Sequence, residues 1–365
     1  MIKKITALFL ILSLFSCSFA TLVIKGKGDI RLNQIDFSQL PGWRQDNQNQ
    51  AVRSLINSCN KFYKMPRNKP IGNQIGNILV MDFKDVCDIA REINSLSSAQ
   101  ARNFFENWFV PFEVSNKNEE AIGKFTGYYV PELRGSRFRT ETYKYPIYSK
   151  PKSYSDLNLT REEIENGALL GKNLEIIYVD DPVDLFFLQI QGSGKVILDD
   201  GSVVNIGFGG KNRHSYTSIG KYIIKNDIIK SGGVSYFSIK KWLRNNPEPA
   251  RRVMNINKSY IFFQESNDSQ VFGSQGVPLM AERSLAVDNK IMPTGFPMWL
   301  DINSPNPYRK LVISQDTGSA IKGAVRGDVF FGRGKRAENL AARMNYPGKY
   351  YILLPTAAVD RMSGR

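Results

Sequence analysis

Hydrophobic positions change period along this chain, and the change divides it in two. Before residue 110 they recur at helical spacing. Val52, Leu55, Ile56 and Cys59 share one face of a helix expected over about Gln50–Tyr63. Phe83, Val86, Cys87, Ala90 and Ile93 do the same over Asp82–Asn94. A third helix, Ser97–Phe109, opens with a capping box formed by Ser97 and Gln100. It carries Ala101, Phe104, Phe105, Trp108 and Phe109 at core-facing spacing, and Pro111 ends it. A short strand, Leu22 to Ile24, precedes the three. From Phe125 onward the apolar residues fall into short runs broken by Gly and Pro, the texture of barrels or sandwiches. Helical stretches interrupt it at Thr217–Lys230 and Ser238–Asn245, and an alanine-rich one follows at Ala337–Met344. The alternation in Leu188-Gln189-Ile190-Gln191 reads as a strand with both glutamines on one face.

The first twenty residues set the compartment. Lys3 and Lys4 precede the apolar run Ile5–Phe15, and Ser18-Phe19-Ala20 has the small residues of a signal-peptidase site. The run is too short to span a bilayer as a mature helix. Export to the bacterial periplasm is therefore expected, with residues 1–20 removed. Leu14-Phe15-Ser16-Cys17 is an imperfect lipoprotein box with a bulky Phe15, so cleavage after Ala20 is favoured over a lipid at Cys17. Anchoring to the outer membrane through Cys17 stays open. Cys59 and Cys87 then remain, on apolar helix faces. A disulfide and two buried thiols both fit, whereas their spacing does not fit a zinc site.

At 365 residues, 42% hydrophobic and 23% charged, the chain can build a large globular core of one to three domains. Its formal net charge of +15 favours polyanionic partners. No compact Lys/Arg run is interleaved with aromatics, so a nucleic-acid groove is set aside. One histidine, His214 in a polar stretch, argues against a Ser-His-Asp triad or a histidine-rich metal site. Gly192-Ser193-Gly194-Lys195 lacks the spacing of a phosphate loop. Neither a metal nor an organic cofactor is expected.

The segment Gln315–Gly334 carries the densest chemistry. Asp316 follows the apolar run Leu311–Ile313, and Asp328, twelve positions later, precedes Val329–Phe331. An acid at a strand edge among apolar neighbours can be held protonated by desolvation, as acid catalysis requires. From the residues alone the two aspartates are interchangeable, and turn residues would look the same.

Asp316–Gly334, the alanine-rich stretch after it and Tyr350–Pro355 resemble the C-terminal 3D segment of the MltA-type lytic transglycosylases. Collinear blocks upstream extend the resemblance: Phe125–Ser136, Tyr143–Tyr148, Asp181–Val196, Tyr216–Ile224, Asn257–Phe263, Gly276–Asp288 and Met292–Leu300. The family cleaves glycan strands of bacterial peptidoglycan, using the muramic acid's own 6-hydroxyl as nucleophile to leave a 1,6-anhydro sugar. The resemblance implies a mainly β protein with some α: a double-psi β-barrel plus a smaller inserted β domain, after N-terminal helices. The barrel is expected from residues 21–129 together with 258–365, and the insert from 130–257, with a glycan groove between them.

It further implies Asp328 as the catalytic acid and Asp316 as a supporting carboxylate. Thr126, Tyr128, Tyr129, Gln189, Gln191, Ser193 and Gly194 are expected to line the groove, with core packing an equal reading for the two tyrosines and plain exposure the alternative for the glutamine face. Lys322 and Arg326 are expected to meet peptidoglycan carboxylates or Asp316, or to be solvated surface charge. Asp288 reads as structural and Glu282 receives no role. Peptidoglycan is the expected partner, with other cell-wall enzymes as further candidates. Two rivals remain: a glycoside hydrolase that uses water, and a wall-binding module without catalysis.

Overall fold

The computed structural model describes residues 22–27, 30–93, 97–230, 233–266, 268 and 270–364. Cys17, Ala20 and the expected signal segment lie outside them. Among the described residues no helix is long and apolar enough to cross a membrane.

Among the described residues fifteen strands form two sheets. The strands are β1 Val23–Lys25, β2 Ile30–Gln34, β3 Phe109–Asn116, β4 Gly123–Val130 and β5 Glu132–Ser136. Next come β6 Tyr145–Tyr148, β7 Glu175–Val179, β8 Gly194–Leu198, β9 Val203–Lys211 and β10 Ile261–Ser266. The last five are β11 Ser284–Val287, β12 Pro297–Ile302, β13 Tyr308–Thr317, β14 Arg326–Arg333 and β15 Asn345–Pro355. The larger sheet runs β1-β2-β3-β15-β12-β13-β11-β14-β4, and a further pairing of β15 with β4 closes six of its strands into a barrel. Two pairings are parallel, β11 with β13 and β14 with β4. Closure removes the free edges that an open sheet would leave beside the barrel core. The second sheet runs β10-β9-β8-β5-β7-β6. The architecture is thus mainly β with helices, as expected. β10 belongs to the second sheet, so that sheet continues to Ser266, past the expected boundary at 257.

Three helices pack on the barrel side from the N-terminal region: α1 Asn49–Phe62, α2 Lys84–Glu92 and α3 Ser98–Trp108. The Ser97–Gln100 capping box is formed. The second expected helix begins instead with a 3-10 turn, Val80–Phe83, whose Leu79 N–H donates to Asp82. A Cys59–Cys87 disulfide ties α1 to α2, settling the alternative left open by sequence. The barrel core is continuous with these helices and includes fully buried Trp299, Phe112, Phe296 and Tyr350. A buried, bidentate Arg283–Asp46 ion pair fixes the approach to β11.

The second lobe holds α4 Tyr154–Leu157, α5 Arg161–Glu163 continuing as a π-turn to Ala168, α6 Pro182–Gln191, α7 Ile219–Lys225, α8 Tyr236–Asn245 and α9 Pro247–Asn255. The C-terminal helices are α10 Gly334–Arg343 and α11 Thr356–Ser363. The expected Leu188–Gln191 strand is instead the last turn of α6. The alternation misled because α6 is apolar almost all round: Val183, Leu185, Phe186, Phe187 and Leu188 are all buried. Its helical signals were at the ends. Asp181 caps the N-terminus through Val183 and Asp184 N–H, Pro182 occupies the first turn, and Gly192 closes the helix at φ 82°.

Candidate active site

The barrel pairing brings the two sequence-distant aspartates together. Ala286 on β11 is the register partner of Asp316 on β13 and of Asp328 on β14. Asp328 is in turn paired with Thr126 on β4. Register partners present side chains on the same face, so Asp316, Ala286, Asp328 and Thr126 form one row across four adjacent strands. Two strand spacings separate the aspartate backbones, roughly 10 Å. The small Ala286 leaves a notch between the carboxyls.

The environments of the two acids differ. Asp316 Oδ1 accepts from the Ser274 and Thr317 N–H groups, both at 2.8 Å, and Oδ2 accepts from the Tyr128 hydroxyl at 2.8 Å. Both its oxygens are committed. Asp328 Oδ1 accepts from the Thr126 hydroxyl at 2.6 Å, and no donor among the described residues reaches Oδ2. Thr126 Oγ1 itself accepts from the Arg326 guanidinium at 2.7 Å. Burial pushes both carboxyls above the ordinary aspartate range. At Asp328 the Arg326 charge and the Thr126 hydrogen bond oppose the rise, and the Asp316 charge adds to it. At Asp316 the three donors oppose it.

The second lobe supplies a facing group. Burial first, and then the charge of Asp328, raise the Tyr216 hydroxyl's pKa, which puts this residue of the stretch before α7 in electrostatic reach of the acid. Burial lowers the pKa of Lys124 on β4, and repulsion from Arg326 and from Lys221 on α7 adds to the effect. The mouth of the site is therefore cationic.

The lobes meet beside this row. The Tyr129 N–H donates to Gln191 Oε1 at 3.0 Å, joining β4 to α6. The Tyr129 hydroxyl lies 2.7 Å from that of Tyr236 and 3.0 Å from Glu338 on α10. Lys240 on α8 bridges Glu338 to Asp184 on α6.

The expected site residues are thus distributed unevenly. Thr126 and Tyr128 share a β4 face and each holds one aspartate. Tyr129, one residue on, faces the opposite way and serves the lobe junction. Gln189 is buried at 4% exposure inside the second lobe, whereas Gln191 holds the junction. Ser193 lies in the turn after α6, and Gly194 opens β8. Arg326 reaches Thr126 rather than Asp316, and Lys322 pairs with buried Asp288 at 3.4 Å, so Asp288 is structural as expected. Glu282 adopts φ 60° and pairs with Lys310 and Arg336. Half-buried His214 lies 2.7 Å from the Asn158 carbonyl oxygen. Sequence reasoning missed Ser274, Ala286 and Tyr216. Strand pairing brings Ala286 to the site, a hydrogen bond to Asp316 holds Ser274 there, and Tyr216 comes from the second lobe; Tyr216 and Ala286 lie in blocks that carry the resemblance, but no local pattern marks their place in the site.

Among the described residues no cluster of His, Cys, Asp and Glu could hold a metal ion. The chemistry available is proton transfer from one free carboxyl in a notch between two lobes.

The family model for the MltA specific insert domain matches residues 124–264, and that for the 3D domain matches 283–354. Over 255 residues the chain is 32% identical to the membrane-bound lytic murein transglycosylase A homolog of Buchnera aphidicola subsp. Schizaphis graminum, spanning 66% of this chain and 69% of that relative. The chain belongs to the MltA family. It is also 34% identical over 239 residues to the membrane-bound lytic murein transglycosylase A of Vibrio cholerae, covering 63% of this chain and 64% of that protein. The match thus spans about two thirds of the length of these curated relatives. Solved MltA-family structures agree along nearly their whole length. The membrane-bound lytic murein transglycosylase from Agrobacterium tumefaciens superposes with a TM-score of 0.80 at 31% identity, covering 90% of this chain and 99% of that one. MltA from Neisseria gonorrhoeae gives 0.75 at 31% identity, with 92% and 95% covered. The barrel is accordingly the double-psi barrel of the MltA fold.

Proposed function

We propose that this protein is a peptidoglycan lytic transglycosylase with Asp328 as its single acid and base. Asp328 delivers a proton to the oxygen leaving as N-acetylglucosamine O4, and the bond from that oxygen to the muramic acid C1 breaks. The muramic acid 6-hydroxyl then attacks C1, and Asp328, now a carboxylate, takes its proton. Atoms and charge balance without water, and the product is a 1,6-anhydromuramic end. One observation carries this reading: Asp328 keeps an oxygen free while Asp316 has both oxygens engaged. An ordinary glycosidase needs a second free carboxylate, to activate water or to attack. Asp316 and its donors instead hold Tyr128 and the Ser274 turn in place and keep a negative potential near the developing oxocarbenium charge.

The location that fits is the periplasm, by way of the N-terminal export signal, with cleavage after Ala20 favoured over a lipid at Cys17. The barrel lobe extends over residues 21–130 and 267–365, and the inserted lobe over 131–266. Arg326, Tyr216 and Lys124 line the glycan groove beside Asp328, whereas Gln191 and Tyr129 set the angle between its walls. The test is Asp328→Ala: turnover of purified sacculi should fall at least a thousandfold while binding to them persists. Activity within a few-fold of the parent would remove Asp328 from this role.

A further inference from the structure

A second large concavity lies wholly within the inserted lobe. It has a volume of about 1030 Å³ and shares no lining residue with the aspartate site. The first turn of α6 lines it at Pro182 and Val183, whereas the far end of that ten-residue helix holds Tyr129 at the lobe junction. At 1.5 Å per residue the two sites are about one helix length, roughly 15 Å, apart.

Its walls are aromatic and cationic. Pro146 and Tyr178 are register partners on the outer face of β6 and β7, and Tyr145 and Tyr148 flank them. Arg139 and Lys144, both exposed on the segment leading into β6, stand at the rim. Burial first, and then the Glu175 charge, push the Tyr148 and Tyr178 hydroxyls up, Tyr148 to about 12, and the Arg139 charge opposes the rise at both. Much of the charge around the cleft is neutralised in place: Arg134 with Asp180 at 2.6 Å, Arg244 with Asp181 at 2.7 Å, and Arg161 with Glu165 at 3.1 Å. Arg251 donates to Asn166. Arg139 and Lys144 have no ion-pair partner among the described residues, and the acids there without one are Glu248 in the lining and Glu175, the register partner of Tyr148. The cleft therefore offers tyrosine rings and hydroxyls beside two uncommitted cations. Rings of this kind take up sugar and amide groups, and the cations take up a carboxylate. The volume is that of a ligand pocket and far exceeds that of a lone ion.

We propose that this cleft is an accessory, non-catalytic site for a carboxylate-bearing, peptide-substituted piece of the glycan, held while a neutral stretch of the same polymer occupies the groove at Asp328. This rests on the peptidoglycan reading of the groove. The test uses Asp328→Asn protein, which cannot consume ligand, and calorimetric binding of two probes: an N-acetylglucosamine hexamer and a disaccharide carrying a tetrapeptide. Arg139→Ala/Lys144→Ala in that background should weaken the peptide-bearing probe roughly tenfold or more, as expected for two lost charge-assisted contacts, and leave the hexamer unchanged. Both substitutions are on exposed positions, and Tyr178→Phe supplies a milder variant that should weaken the same probe alone. Equal affinity of parent and double variant for the peptide-bearing probe would overturn the accessory site while leaving the groove reading intact. Loss of phosphatidylglycerol-vesicle binding in the double variant, with the probe's affinity unchanged, would likewise overturn it in favour of a lipid headgroup. Failure of the parent to bind either probe would overturn both readings together.

Discussion

The protonation of Asp328 is a balance between burial and three neighbours, and each neighbour can be weighed separately. Burial and the nearby Asp316 charge favour the neutral acid; the Arg326 charge and the Thr126 hydrogen bond favour the carboxylate. Under the proposed mechanism the acid must be protonated to start the reaction, so kcat/KM should fall as pH rises through its pKa, which burial raises above the ordinary aspartate range. Asp316→Asn deletes the charge that adds to the rise, so Asp328 should release its proton at lower pH and the basic limb should move to lower pH. Thr126→Val deletes a contact that opposes the rise and should move the limb to higher pH. Profiles of kcat/KM against pH for the three proteins check this; a basic limb of Asp316→Asn that coincides with the parent's would deny the coupling between the carboxyls. At this scale the sequence made the two aspartates conspicuous but not their difference. Ser274 and Tyr128, which commit Asp316, come to it across 42 and 188 positions of chain. Local pattern could not rank the pair, and only the family resemblance did.

The elements that carry the site are held by close approaches of backbone. A Cβ added at Gly127 on β4 would lie 2.5 Å from the Phe331 ring and 2.8 Å from the Ala341 backbone on α10, so β4 and α10 meet only because this residue is glycine. Gly127→Ala should destabilise the protein by about 1–3 kcal/mol and displace Thr126, its neighbour; thermal unfolding together with turnover measures both, and an unchanged melting temperature would contradict it. The disulfide between α1 and α2 closes a loop with a sequence separation of 28. Cys59→Ser/Cys87→Ser should cost about 3.5 kcal/mol by the loop-entropy relation, read from denaturant unfolding; a difference under about 1 kcal/mol would show that the helices are held by packing alone. The helices with one apolar stripe, α1 and α3, were legible from periodicity. Helix α6 was not, because a segment buried all round has no polar face to reveal its period. Strand β3 escaped notice for a different reason. Its Pro111 reads as a helix stop, and its pairings with β2 and β15 are settled far along the chain.

Across the whole molecule, the proposed function rests on two lobes that meet beside the aspartate row. Tyr129, Tyr236, Glu338, Lys240 and Gln191 join them next to the aspartate row, and the linked side chains span the barrel, its C-terminal helix and the insert. The division into barrel and insert came from the family resemblance, and only the passage from helices to strands was visible in the sequence, as a change of texture near Phe125. The return crossing was not, because β10 resembles the barrel strands that follow it and is assigned only by pairing with β9. The net charge of +15 acts at this scale too: under the proposed function it would draw the protein to an anionic wall polymer before any specific contact forms. The proposed function turns on one chemical event, the closing of a sugar ring upon itself under a single proton donor. Mass analysis of the fragments released from purified sacculi tests that event most directly. Glycan ends lighter by one water, as 1,6-anhydromuramic acid, are the predicted result. Reducing ends at every cut would contradict the account and mean that water, not the muramic 6-hydroxyl, is the nucleophile.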